Sequence, residues 1–350
     1  MPKKQTSWVT AADVARHAGV SRSAVSRAFS PTASIAPETR ERVMEAARSL
    51  GYQVNLIARE MIMQRSSMVG VVTAGFENPF RAKLLAHIIA ALGRHKLTPI
   101  VVNADDPVQI RQSLDMLLSY RIGGVVMTSA SPPLGLARQY LEGEIPVVMI
   151  NRASNLPGAD VAVSDNAAGA SLAAHMLIDA GATRLAFVGP TRPSYNGKAR
   201  CAGFLRATRH IANADPHRVH RVDTHGTTGD TYECGVAAAH ALLSQASRPD
   251  GVFCSSDLLA LGFIDTARRH FAMRVPEDVR IVGFDDIPAA SYENYQLSTI
   301  AQDTHALADA ATDMLIERRN AYSGASRTRV VPVARVVRHS CGLTPANRLP

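Results

Sequence analysis

Between Val9 and Phe29 the chain reads VTAADVARHAGVSRSAVSRAF, and the second half of that stretch interleaves two kinds of residue. Arg22, Ser23, Ser26 and Arg27 donate hydrogen bonds, whereas Ala24, Val25 and Ala28 offer only small apolar surface. At helical spacing the two sets fall on opposite sides of one short helix. A guanidinium carried on such a helix matches the O6 and N7 acceptors of guanine in the major groove of DNA, making two bonds at once. A solvated helical hairpin with a charged surface would use the same residues, so this pattern alone leaves both readings open.

Other chemistry has less to stand on. HExxH, GxSxG and GxGxxG are absent, and NGKA at 196–199 lacks the leading Gly and the Ser/Thr of a phosphate-binding loop. Cys201, Cys234, Cys254 and Cys341 stand far apart with no CxxC and no metal-ligand spacing. A reduced cytoplasmic protein without metal or cofactor is expected. No run approaches the roughly 18 apolar residues of a membrane span. The start, MPKKQTSWVT, has lysines but no apolar segment behind them, unlike a secretory signal. Charge is uneven: residues 1–65 hold ten Lys/Arg against five Asp/Glu, so +5 of the formal +8 lies at one end. That is the footprint of a small module that meets a polyanion.

Three short helices would position the basic residues. Thr10 with Asp13 forms a capping-box-like start for Ala11 to Ala18. Gly19 ends that helix, and Ser21 caps a second running to about Phe29. Pro37 suits a first helical position, and Val43, Ala46, Ala47 and Leu50 then form an apolar stripe closed by Gly51. The small residues Ala15, Gly19 and Val25 allow two helices to pack closely across a tight turn. A fourth short helix is expected over Asn55 to Met63.

From Met68 the pattern changes. MVGVVTA, TPIVVNA, GGVVMTS and IPVVMIN alternate with amphipathic stretches such as RAKLLAHIIAALGRH and IRQSLDMLLSY. RLAFVGP, HRVHRVDT, GVFCSSD and VRIVGFD follow, with helices expected around 167–180, 198–213, 229–246 and 258–270. Such alternation implies parallel sheets covered by helices, and two series imply two similar lobes. Ligands bind at the carboxyl ends of such strands, so the loops after Ala74, Thr128, Gly189, Ser256 and Asp285 face the expected cleft.

These stretches together resemble one family. The opening segment, continued by PETRERVMEAARSLGYQVN, is similar to the headpiece of the lactose-repressor/galactose-repressor (LacI/GalR) bacterial transcription factors. The likeness runs on through MVGVVTAGFENPF, IPVVMINR, VSDNAAGASLAAHMLIDAGATRLAFVGP, RCAGF, SSDLLALGF, VPEDVRIVGFDD and LSTIAQD, nearly the whole chain. It implies an all-α helix-turn-helix headpiece followed by an α/β, periplasmic-binding-protein-like effector domain of two doubly wound parallel-sheet lobes. The boundaries expected are 1–53 for the headpiece, 54–66 for a hinge helix and linker, 67–340 for ligand binding and dimerisation, and 341–350 for a tail. Within 67–340, one lobe is expected at about 67–165 and 298–328, the other at about 166–297 and 329–340.

In the headpiece the resemblance implies Arg22 and Ser23 as base readers and Arg27 as a contact deeper in the groove, with Thr10, Ser21 and Ser26 on phosphates. Asn55, Ala58 and Met61 match a hinge helix that orders on DNA and inserts an apolar side chain into the minor groove; such a wedge bends DNA and gains contacts. Val54, Met61 and Met63 depart from the usual residues there, and a plain linker remains the alternative. In the cleft the implied effector-binding residues are Asn78, Phe80, Asp165, Arg200, Asp257, Asp285 and Gln302, with Phe76 and Tyr195 as further rings for stacking. Asp165 and Asp257 also fit helix N-caps, and Asp285 or Asp286 a turn. Paired acids in a sugar cleft would suit a glycosidase, but an enzyme gives no reason for a basic headpiece. The expected partners are a near-palindromic double-stranded DNA operator, a second copy of the chain through helices around 79–94 and 107–120, and a small effector. That effector is a carbohydrate, with a sugar acid or nucleobase held by Arg200 and Arg192 as the alternative. No catalytic residue, metal or membrane contact is expected.

Overall fold

A computed structural model of the chain describes residues 8–30, 33–54, 66–128, 134–152, 156–191, 194–322 and 324–343. The chain divides into two compact units, Met1–Ser66 and Ser67–Pro350. Asn55, Ala58 and Met61, with the short helix expected around them, lie outside the described residues.

In the first unit α1 spans Ala11–Ala18, α2 Arg22–Ala28 and α3 Pro37–Leu50. The capping box forms: the Thr10 hydroxyl accepts from the Asp13 backbone N–H, and the Asp13 carboxylate accepts from the Thr10 backbone. Gly19 ends α1 in the left-handed conformation, and Ser21 caps α2 through the Ala24 N–H. Val14, Ala15, Val25, Ala28, Val43, Ala46 and Ala47 make the core. Arg40 of α3 fastens the turn after α2 by donating to the carbonyls of Ala28 (2.6 Å), Ala33 (3.2 Å) and Ser30 (3.4 Å). A side chain that satisfies several loop carbonyls fixes a segment too short and polar to bury apolar area of its own.

The second unit runs β1 Met68–Thr73, α4 Pro79–Arg94, β2 Thr98–Asn103, α5 Pro107–Ser119, β3 Val125–Met127, α6 Leu134–Glu142, β4 Val147–Ile150 and β5 Asp160–Ser164. It continues α7 Asn166–Asp179, β6 Arg184–Pro190, α8 Tyr195–Ala214, β7 Arg221–Thr227, α9 Tyr232–Leu243, β8 Gly251–Cys254, α10 Asp257–Phe271 and β9 Arg280–Asp285. Last come β10 Ser298–Gln302, α11 Thr304–Asn320, β11 Thr328–Val331 and β12 Val333–Val336. One sheet has the order β11-β5-β4-β3-β1-β2, the other β12-β10-β9-β8-β6-β7. The first is parallel throughout, whereas the second carries β12 as an antiparallel edge. Most strands are buried on both faces, so they read as unbroken apolar runs.

Three boundaries differ from expectation. Residues 298–302 belong to the second lobe, because β10 pairs with β9 from Ser298–Val282 to Ala301–Asp285. The chain therefore returns to the first lobe after Gln302, through α11, and leaves it again after β11, at Pro332 rather than 328. The expected tail begins too early: Cys341 is wholly buried in the second lobe's core, and Ser340 donates to the Ile281 carbonyl (2.7 Å). The segment leading into the third crossing is tied to the first lobe by a buried carboxylate. Asp160 of β5 accepts from Arg318 of α11 (2.6 Å) and from Arg327 just before β11 (2.6 Å). Burial raises its pKa, but the two guanidinium groups outweigh that and hold it below the ordinary carboxylate value.

Candidate functional site

Two places collect polar side chains that the fold does not consume. The first is the outer side of α2. Ala24, Val25 and Ala28 are buried, whereas Arg22, Ser23, Ser26 and Arg27 are exposed, as their spacing implies. Arg22 is unbonded among the described residues, while Arg27 leans back through Nε to the Ser23 carbonyl at 3.4 Å. Two expected phosphate contacts are also structural. Thr10 spends its hydroxyl proton on Asp13 Oδ2 (2.6 Å), and Ser21 Oγ caps α2 and meets Ser23 Oγ at 2.8 Å. The exposed Ser26 is engaged in neither way.

The second place is where the carboxyl ends of the strands in the two lobes meet around residues 151, 164, 285 and 302. Arg200, in the second turn of α8, is its centre and only 7% exposed. Its Nε donates to Asn166 Oδ1 (2.8 Å) and its Nη1 to the Ser255 carbonyl (2.6 Å), with Asp285 Oδ1 at 3.6 Å. The guanidinium lies over the Phe284 ring, 3.6 Å from its centroid, so an aromatic face helps compensate its desolvation. Gln302 Nε2 donates to Asp285 Oδ1 (2.6 Å), and Gln302 Oε1 accepts from Ser164 (2.7 Å) and Asn151 (3.2 Å) of the first lobe. One chain of bonds thus links both lobes beside two of the crossings.

Electrostatics sharpen this arrangement. Burial pushes the Asp285 carboxyl up to about 7, opposed by Arg200 and reinforced by the charges of Asp257 and Asp230. Burial likewise lowers the pKa of Arg200, which Asp285 resists. Asp285 has φ 126 and Asp286 φ 54, while Asn151 on the facing lobe has φ 53. Left-handed backbone at side-chain-bearing residues costs energy and collects at functional sites.

The structure brings together Arg200, Asp285 and Gln302 among the expected effector residues and assigns other work to the rest. Asp257 is fully enclosed and has no surface for a ligand. Its oxygens accept from Thr299 Oγ1 (2.5 Å) and the Ile287 N–H (2.9 Å), and burial pushes its pKa up to about 6. Phe80 is 8% exposed and packs in the first lobe's core, whereas Phe76 (40%), in the loop after β1, and Tyr195 (46%), at the start of α8, present open rings. Asp165 caps α7 through the Ala168 N–H, and Asn78 caps α4 through those of Phe80 and Arg81. Sequence reasoning passed over Asn151, Ser164, Asn166 and Asn196, all buried. Asn166 donates to Asn196 (3.2 Å) and accepts from Arg200. Their signal was positional: polar residues directly after apolar strand runs, or opening the next helix. Asp230 and Arg81 were passed over too, and they meet at 3.7 Å across the lobes.

Neither place contains a metal-ligating cluster among the described residues, and no described helix is long and apolar enough to cross a membrane. Comparison with known proteins gives two family matches: bacterial regulatory proteins, lacI family, over residues 10–55, and the periplasmic binding protein-like domain over 174–341. The HTH-type transcriptional repressor PurR of Edwardsiella ictaluri is 31% identical over 314 residues, covering 88% of this chain and 90% of the relative. The ribose operon repressor of Haemophilus influenzae is 28% identical over 333 residues, 95% of this chain and 98% of the relative. Among solved structures, the lac repressor dimer bound to operator and the anti-inducer ONPF superposes with a TM-score of 0.82 at 21% identity, covering 96% and 99% of the two chains. The transcriptional regulator CelR in complex with cellobiose gives 0.69 at 27% identity, covering 95% and 99%. Similarity at this level along nearly the full length of both sequences admits one conclusion: the chain belongs to the lacI family of bacterial regulatory proteins and is a DNA-binding transcriptional regulator, not an enzyme.

Proposed function

We propose that the protein is a homodimeric repressor that acts at the nucleoid in the cytoplasm and whose hold on a near-palindromic operator is set by a neutral, polyhydroxylated effector bound between its lobes. The observation that carries the DNA half is α2, with its apolar side buried and Arg22, Ser23, Ser26 and Arg27 exposed. Arg22 reads a base edge, Ser23 and Arg27 assist, Ser26 meets phosphate, and Thr10 and Ser21 serve by holding the helix starts that face the backbone. Asn55, Ala58 and Met61 are assigned to the minor groove. Dimerisation runs through the first lobe, where Val108 (73% exposed), Met116 (49%), Tyr120 (48%) and Val101 (40%) leave an apolar surface on α5 and β2.

Effector class follows from charge balance. Arg81 already has Asp230 as its partner, and the Asp285 carboxyl stands 3.6 Å from Arg200, so an acid or phosphate would enter a cleft already lined with acidic groups. Hydroxyl groups need no such partner, because the amides of Asn166, Asn196 and Gln302 both donate and accept and the Asp285 carboxyl accepts, and Phe76 and Tyr195 can cover an apolar ring face. Solved relatives carry cellobiose and ribose.

Selection of genomic fragments by the full chain, followed by the same selection with Arg22→Ala, tests the reading. The wild type enriches a two-fold-symmetric site. The variant should lose discrimination at one position of each half-site and bind about 10- to 100-fold more weakly, the roughly 1–3 kcal/mol of a bidentate base contact. An unchanged preference removes Arg22 from base reading, and no enrichment by the wild type removes the repressor.

A further inference from the structure

Arg81 and Asp230 stand apart from the rest of the cleft. Arg81 lies in the first turn of α4, in one lobe, and Asp230 in the loop between β7 and α9, in the other. The bonds of Gln302 to Asn151 and Ser164 also pass between lobes, but those residues adjoin the chain crossings and stay near one another whatever angle the lobes adopt. The crossings follow Ser164, Gln302 and Val331. Arg81 and Asp230 are remote from all of them in sequence, so their approach to 3.7 Å depends on how far the lobes have closed.

Both partners are held in place. The Arg81 guanidinium lies directly over Gly75, where a Cβ would collide with Nη1, and the Asn78 carbonyl oxygen of the side chain caps the Arg81 N–H. Gly75 also has φ 67, a conformation that a side chain resists. On the other lobe, Ser256 Oγ donates to the Asp230 carbonyl at 3.3 Å, fixing the loop to the start of α10. The field of Asp230 reaches the cleft floor, where it helps raise the Asp285 carboxyl and supports the charged form of Arg200. The pair therefore belongs to the polar surface of the cleft.

We propose that Arg81 and Asp230 form a charged latch between the lobes, which stabilises the lobe arrangement that brings them together and loosens as ionic strength rises. The inference rests on the effector reading of the cleft and adds a regulatory element to it. With side chains 26% and 44% exposed, the pair is only partly shielded from solvent. It therefore biases the lobe equilibrium by about fivefold at most. A bias of that size lets a polar ligand shift the balance, where a stronger bond would lock it.

Hydrogen exchange of the full-length chain without ligand tests the latch. Arg81→Ala should speed exchange about two- to fivefold at amides of Gly229–Cys234, although the substitution is in the other lobe. Asp230→Ala should do the same at Gly75–Arg81. The double variant should match either single one, and 0.5 M salt should speed the wild type but not the double variant. Acceleration confined to the substituted lobe, or additive in the double variant, overturns the latch. No effector is present, so failure of a sugar to bind would leave this result standing. Conversely, a sugar-induced stabilisation that persists without cross-lobe exchange would remove the latch alone.

Discussion

Single residues decide the chemistry of the cleft, and Asp285 has the clearest consequence. Folded, it keeps its proton up to about pH 7; unfolded, a carboxyl ionises near its ordinary 3.8. Between those values the native state binds more protons than the unfolded one, so stability falls as pH rises from about 4 to about 7 and is level above that. Asp257, raised to about 6, adds a slope of the same sign. Asp285→Asn should therefore flatten the decline in urea midpoint between pH 5 and 7, by an amount equivalent to roughly 2 kcal/mol. Parallel pH profiles for variant and wild type would show that the carboxyl is already ionised at pH 5. The sequence contained Arg200, Asp285 and Gln302 as candidates but not their bonds. The family resemblance of SSDLLALGF placed Asp257 with them, but burial to 0% makes it a tie from α10 to β10 and to the segment after β9.

Among elements, α9 and α10 pack closer than side chains permit. A Cβ on Gly235 would meet the Leu259 carbonyl oxygen, and one on Gly262 the Tyr232 carbonyl oxygen, both backbone atoms that cannot swing aside. Gly262→Ala should cost 1–3 kcal/mol or more and lower the thermal midpoint, as overpacking does. Gly93→Ala on α4 meets nothing within 4 Å and should be neutral or stabilise by about 0.5–1 kcal/mol. Equal effects of the two changes in thermal unfolding would contradict the close approach. The helices themselves were legible from their apolar spacing, but α11 was not. Its buried side includes Thr304, Thr312 and Arg318 among the apolar residues, so no clean stripe appears, and Arg318 is buried only because Asp160 arrives from a strand 158 residues earlier.

At the scale of the molecule, one chain carries two functions in two compact units, and coupling requires that ligand discriminate between lobe arrangements. Arg200→Ala should leave operator binding in gel shifts intact, because Arg200 belongs to the second compact unit and the base-reading residues to the first. It should also abolish both the rise in thermal midpoint that neutral sugars give the wild type and their effect on operator affinity. The variant will melt somewhat lower, since Asn166 Oδ1 and the Ser255 carbonyl lose their donor in a buried site. A sugar response that survives would move the pocket elsewhere.

The sequence alone determined whatever depends on neighbours along the chain: the three headpiece helices with their caps, the exposed polar side of α2, and the alternation that becomes two parallel sheets. Those follow from periodicity and local hydrogen bonding, which act over a few residues. Tertiary structure decided which lobe receives β10, that Cys341 belongs to the core, and that Arg81 meets Asp230 while Asp257 meets Thr299. These outcomes depend on contacts between segments tens to hundreds of residues apart. There, burial and pairing of charge rather than local propensity set the energy, and a linear pattern of residue types does not record which distant partner arrives.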